Sequence, residues 1–165
     1  MARQHPHGHP HADLTFAVIT ASDSRDVQTD TSGALIREHL EAAGHRVAHH
    51  QVVPDDPAII TDIVQKRLKD CDGVIISGGT GITARDLTIE AVRPLLDKEL
   101  DGFGELFRML SYNEVGAAAF LSRALAGISE GKIVVALPGS PDACRLAMEK
   151  LLIPELGHMA YLLKL

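Results

Sequence analysis

The sequence contains no tryptophan, and only four phenylalanines and two tyrosines among its 165 residues. Positive charge is also in short supply, with 16 Lys+Arg against 22 Asp+Glu and a formal net charge of −6. A chain so poor in stacking rings and so mildly acidic lacks the footprint of a general nucleic-acid binder. No apolar run approaches the roughly 18 residues that a membrane-spanning helix needs. The N-terminal segment carries no signal-peptide core, because Met1 to Ala12 is polar and rich in His and Pro. Cysteine is scarce too. Cys71 and Cys144 have neither CxxC nor metal-finger spacing, so the expectation is two reduced thiols in a cytoplasmic protein. Cys144 shares helical spacing with Ala147, Met148 and Leu151, which places it in the core.

What remains is an ordinary globular composition, 45% hydrophobic and 23% charged, at a length suited to one domain. Residues 1–12, with His5, His7, His9 and His11 at alternate positions, form a His/Pro-rich tail expected to be flexible, and residues 13–165 form the domain. Regular patterning begins at Leu14. Leu14–Thr20, Arg46–Val53, Gly73–Ser77 and Ile133–Leu137 read as strands, three of them almost unbroken apolar runs. Helices are expected over about Ser32–Ala43, stopped by Gly44, over Pro57–Lys69, and over Pro141–Leu152. Strands alternating with helices predict an α/β fold, a three-layer sandwich with a mostly parallel central sheet flanked by helices.

In such sheets ligands bind beyond the carboxyl ends of the strands. Four loops meet that description: Ser22-Asp23-Ser24, Pro54-Asp55-Asp56-Pro57, Gly78-Gly79-Thr80-Gly81 followed by Arg85-Asp86, and Pro138-Gly139-Ser140-Pro141. Their convergence on one edge is the candidate site. Three glycines in the four positions 78–81 let backbone N–H groups approach a phosphate closely, and Thr80 adds a hydroxyl donor. Gly79, Gly81 and Ala84 also satisfy a dinucleotide fingerprint. The context is wrong for it, because the loop follows the third strand and not the first, so an NAD(P)-dependent oxidoreductase is the disfavoured alternative.

The aspartates separate by position. Pro57 suits the first helical residue, making Asp56 the expected N-cap and leaving Asp55 free to face the site. Asp86 lies five residues beyond the glycine loop, where it either serves the site or caps a short helix starting near Thr88. Carboxylates beside a phosphate call for a divalent cation between them, and Mg²⁺ anchored by Asp55 and Asp86 balances the charge. Ser140 is an expected cap, at a helix start that can also hold an anion.

Those four loops, with Gly102-Phe103-Gly104-Glu105 and Leu121-Ser122-Arg123-Ala124, occur in an order and at intervals that resemble the MoaB and MogA family of molybdenum cofactor biosynthesis, related to gephyrin and the plant Cnx domains. The match runs from about Leu14 to Leu156, and the short segment after residue 100 is closer to the MoaB branch. The resemblance implies molybdopterin binding and its adenylylation by Mg-ATP, with Asp55 and Asp86 as the essential carboxylates and Gly78, Gly79, Thr80 and Gly81 holding phosphate. It further implies that Ser22, Asp23, Glu105, Ser111, Pro138, Gly139 and Ser140 line the pterin and nucleotide pocket. Outside that resemblance, Glu105 reads equally well as a solvated residue of a first helical turn, and Ser111 as a surface hydroxyl. A non-catalytic oligomer that holds molybdopterin or a precursor is the alternative function. Glu114–Ile128 reads as a small-residue helix suited to close packing, either in the core or between copies, and the family's trimers and hexamers favour self-association.

Overall fold

A computed structural model of the protein describes residues 13–165; the His/Pro-rich tail at 1–12 lies outside the described residues. The chain runs through β1 (Thr15–Ala21), α1 (Thr31–Ala42), β2 (Arg46–Val53), α2 (Pro57–Arg67), β3 (Gly73–Ser77), α3 (Thr88–Val92), β4 (Lys98–Glu99), α4 (Asp101–Val115), β5 (Leu125–Ser129), β6 (Lys132–Leu137), α5 (Pro141–Ala147) and α6 (Ile153–Leu163). The strands form one sheet in the order β2-β1-β3-β6-β5-β4. The pairs β2/β1, β1/β3 and β3/β6 are parallel, whereas β5 runs antiparallel to both β6 and β4. The carboxyl ends of β1, β2, β3 and β6 therefore share one rim, and the antiparallel β5 begins at that same rim, with Leu125 opposite Ala136.

Two apolar layers cover the sheet, as strands buried on both faces require. On one face Phe16, Val18, Ile75, Val135 and Leu137 pack with Ile36, Leu40, Phe107, Met148 and Leu156 from the helices. On the other, Ala17, Ile19, Val74, Ile76 and Val134 pack with Ile60, Val64, Ile89 and Val92. The caps explain where the helices begin. Asp56 Oδ1 accepts from the N–H groups of Ala58 (2.9 Å) and Ile59 (3.1 Å), and Ser140 Oγ accepts from Ala143 N–H (3.3 Å). Both thiols are buried. Burial pushes the Cys71 thiol up to about 11 and the Cys144 thiol up to about 12, so each is an inert protonated side chain at neutral pH in the protein alone.

The structure corrects two expectations. Glu114–Ile128 is not a helix. Helix α4 ends at Val115, because Gly116 takes φ +63°, and the chain continues as a 3₁₀ turn over Gly116–Leu121 before turning into β5. The helix expected over Pro141–Leu152 is α5 alone up to Ala147; a π-helical turn at Met148–Leu152 then passes the chain into α6, with Pro154 inside the first turn. Among the described residues no helix is long and apolar enough to cross a membrane.

Candidate functional site

The four loops meet at the shared rim, and glycine backbone is what lets them meet. Gly78 has φ +91°, and a methyl group there would come within 2.3 Å of the Ala21 carbonyl oxygen. Gly139 lies so close that its added carbon would stand 3.2 Å from Gly78 Cα. Gly79, at φ +64°, faces two side chains: its added carbon would be 2.3 Å from Thr88 Oγ1 and 3.0 Å from Asp55 Oδ1. Both of those oxygens are buried without a hydrogen-bond partner. Among the described residues these are the two buried side-chain oxygens left unpaired, and an orphaned pair facing one glycine marks a place that expects a ligand atom.

Asp55 sits at the carboxyl end of β2, its N–H donating to Asp23 Oδ1 at 3.1 Å, and Asp23 in turn pairs with Arg85. Burial pushes the Asp55 carboxyl above the usual carboxylate range, and the negative charges of Asp23 and Asp86 add to that against the opposing Arg85. Asp86 behaves differently. Its Oδ2 accepts from Thr83 Oγ1 (2.7 Å) and Thr83 N–H (2.9 Å), which holds its carboxyl below the usual range. It does not cap α3, whose start at Leu87 has no side-chain cap; it ties the end of the glycine loop instead. A methyl at Gly81 would stand 2.7 Å from Asp86 Oδ2. The donor set at this corner is all carboxylate and hydroxyl oxygen, the hard ligands that Mg²⁺ prefers, and the unpartnered Asp55 Oδ1 is available to it.

The other expected residues divide. Ser22 Oγ accepts from the N–H groups of Ser24 (3.3 Å) and Arg25 (3.2 Å), and with Asp23 and Pro54 it lines a cleft of about 400 Å³ on the β1–β2 side. Glu105, exposed in the first turns of α4, lines a second cleft of about 390 Å³ on the β4–β5 side, with Asp101, Arg93, Arg108 and Arg123. Pro138, Gly139 and Ser140 are at the rim, but chiefly as structure. The Pro138 carbonyl accepts from Cys144 Sγ (3.3 Å), the Gly139 carbonyl accepts from Ser32 Oγ (2.7 Å) and Arg25 Nη1 (3.4 Å), and Ser140 caps α5. Thr80, expected to offer its hydroxyl, is only 3% exposed. Ser111 is not a surface hydroxyl; it is buried on α4 and lines neither cleft.

Two supporting residues had no role assigned from the sequence. Arg123 donates from Nε to the Thr80 (3.1 Å) and Gly81 (3.0 Å) carbonyls and from Nη2 to the Asp86 carbonyl (2.8 Å), while also pairing with Glu90. A single guanidinium thus fixes the glycine loop and Asp86 together. Its signal was a lone charge inside the apolar stretch 115–128. Asp30, fully buried, caps α1 through Gly33 N–H (2.9 Å) and accepts from Thr20 Oγ1 (2.7 Å), with His50 Nε2 2.8 Å away. Thr20 Oγ1 also lies 3.2 Å from Ser77 Oγ, directly beneath the glycine turn. An Asp just ahead of a helical pattern was the available signal.

This arrangement has known counterparts. The family model described as "Probable molybdopterin binding domain" matches residues 17–158. A molybdenum cofactor biosynthesis protein B from Halalkalibacterium halodurans is 51% identical over 145 residues, covering 86% of this chain and 85% of that protein. A solved structure of a molybdenum cofactor biosynthesis protein B superposes with a TM-score of 0.90 at 49% identity, covering 93% of this chain and 97% of that one. The tungsten cofactor synthesizing protein MoaB from Pyrococcus furiosus gives 0.83 at 39% identity, over 92% and 98% of the two chains. The fold, the rim and these matches agree, and the chain belongs to the MoaB/MogA family of molybdenum cofactor biosynthesis proteins.

Proposed function

We propose that this chain binds molybdopterin and adenylylates its terminal phosphate with Mg-ATP, releasing pyrophosphate. The observation that carries the reading is the meeting of Asp55, Asp86 and the Gly78–Gly81 turn at one rim, with Asp55 Oδ1 buried and unpartnered against Gly79. In the reaction a phosphate oxygen of molybdopterin bonds to the α-phosphorus of ATP, and the bond from that phosphorus to the oxygen of the leaving pyrophosphate breaks. Two anionic groups must be brought together, and the chain's work is to hold them. Backbone N–H groups of the glycine turn bind phosphate oxygens. Asp55 and Asp86 would hold Mg²⁺, which when bound screens the phosphates from each other and from the carboxylates. Arg123 keeps the turn and Asp86 in register from behind. The β4–β5 cleft sets Arg93, Arg108 and Arg123 against Glu99, Asp101 and Glu105, so it offers a pterin both hydrogen-bond donors and acceptors.

The test is Mg²⁺-dependent pyrophosphate release in the presence of molybdopterin and ATP. Asp86→Ala should abolish it while circular dichroism shows a folded chain, and parent-like turnover in that variant refutes the role given to Asp86. A second reading, a pterin-binding protein without turnover, draws on the engagement of Asp86 by Thr83, which gives this carboxylate a purely structural use. Pterin binding without any pyrophosphate would select it.

Self-association belongs to the same proposal. Met109, Tyr112 and Val115 of α4 and Phe120 of the following turn are all at least 58% exposed, an apolar surface of the kind that covers itself in an oligomer. A trimer or hexamer by light scattering, broken by Met109→Glu with Phe120→Asp, is the expected outcome; a monomeric parent contradicts it.

A further inference from the structure

The opposite end of the sheet holds a cluster that the reaction does not use. His49 stands in β2, the edge strand, on the face covered by α2, and Asp70 and Cys71 lie in the turn from α2 to β3. His49 Nε2 is 2.9 Å from Asp70 Oδ2, and Cys71 Sγ donates to Asp70 Oδ1 at 3.6 Å. The three ligand atoms all lie within 4.8 Å of one another. Zinc bonded tetrahedrally to nitrogen, oxygen and sulfur sets its ligands about 3.3–3.7 Å apart, so they need to close by about 1.5 Å at most. We propose that His49, Asp70 and Cys71 form a three-ligand site for a thiophilic divalent cation of the zinc class, at the amino-terminal edge of the sheet and separate from the phosphate rim.

The mixture of imidazole, carboxylate and thiolate selects zinc-like ions and disfavours Mg²⁺, which takes oxygen ligands only. Access is from the His49 and Asp70 side, where the side chains are 29% and 49% exposed, while Cys71 closes the inner wall. A positive charge already stands at this point. Arg67 Nη1 is 3.4 Å from His49 Nε2 and 3.6 Å from Asp70 Oδ2, and Arg67 Nε is anchored to Gln51 Oε1 at 2.9 Å. The incoming ion replaces the Nη1 end of that guanidinium and releases the Cys71 proton to solvent, leaving a fourth position for water. It then clips β2 to the α2–β3 turn.

Cobalt(II) titration of the full chain tests the site, because a thiolate ligand gives a near-ultraviolet charge-transfer band that histidines alone do not. The expected result is a saturable band, absent in Cys71→Ser and kept in Cys144→Ser. Binding should weaken by at least about tenfold in His49→Ala, the scale on which even outer-shell partners act. Arg67→Ala should tighten binding, since it removes the competing cation. Should Cys71→Ser fail to fold, His49→Ala and Arg67→Ala still move affinity in opposite directions. Absence of the band in the parent overturns the proposal, whatever cobalt the N-terminal histidines take up. So does a band lost with Cys144 and not with Cys71, or one indifferent to both His49 and Arg67.

Discussion

Replacing Gly79 by alanine probes the rim at its tightest point. The backbone there is left-handed, at φ +64°, which disfavours a β-carbon by roughly 1–2 kcal/mol. That carbon would also lie 2.3 Å from Thr88 Oγ1 and 3.0 Å from Asp55 Oδ1. Thr88 is fully buried and cannot swing into solvent, so relief of the overlap must come from repacking at roughly 1–3 kcal/mol. Together these give a loss of roughly 2–5 kcal/mol. For a chain of this size each kcal/mol moves the melting midpoint by roughly 2–4 °C, so a fall of about 4–20 °C is expected. Thermal unfolding by circular dichroism, at one protein concentration, measures it. Gly102→Ala is the control. Its added carbon meets nothing within 4 Å and lies in α4, so the change should be neutral or stabilising by up to about 1 kcal/mol. Gly79→Ala melting together with Gly102→Ala would refute the packing of Asp55 and Thr88 against that glycine.

Further perturbations follow from the same geometry. The Asp55 carboxyl is pushed upward by burial and by Asp23 and Asp86, so the fold favours its protonated form; that contribution is present at low pH and is lost as pH rises through the raised folded value. Asp55→Asn should therefore melt above the parent at pH 7 in Mg²⁺-free buffer, with the gap closing as pH falls below the ordinary carboxylate value of 3.8; a variant less stable at pH 7 would contradict this. Asp30→Ala removes the α1 cap, takes the carboxylate from His50 Nε2 and leaves Thr20 Oγ1 with Ser77 alone, a loss of roughly 2–4 kcal/mol by urea denaturation, and an unchanged midpoint would refute the buried network. Arg123→Ala should raise amide exchange across residues 80–86, and Arg123→Lys should restore it only in part, because an ammonium cannot fork across three carbonyls; equal protection in parent and alanine variant counts against the clamp.

The parallel half of the sheet is plain in the sequence because its strands are continuous apolar runs closed by caps and glycines: LTFAVIT, GVIIS and IVVAL announce burial on both faces, and Asp56-Pro57 and Ser140-Pro141 announce helix starts. The antiparallel half is hidden. Strand β4 is two exposed residues, and β5 reads Leu-Ala-Gly-Ile-Ser, whose small residues carry little strand preference and extend a helical run on paper. What makes β5 a strand is pairing with β6, a contact the local pattern does not encode. The site divides the same way. Asp55 and the glycine turn are readable because they follow strands in a parallel sheet, and capping chemistry alone separates Asp55 from Asp56. Arg123 is not readable in its role, since the carbonyls it holds lie about forty residues earlier in the chain. The reading of Ser111 as a surface hydroxyl is overturned for the converse reason: α4 turns it inward, and only the packed helix shows that face to be the core side.

A single-turnover incubation of the full chain with molybdopterin and Mg-ATP, read by mass spectrometry, bears most directly on the phosphate rim. Adenylylated molybdopterin should form in proportion to the protein, and should vanish in Asp55→Asn and when Mg²⁺ is withheld. Unreacted pterin on the parent chain, or equal product from Asp55→Asn, would contradict the chemistry assigned to that rim.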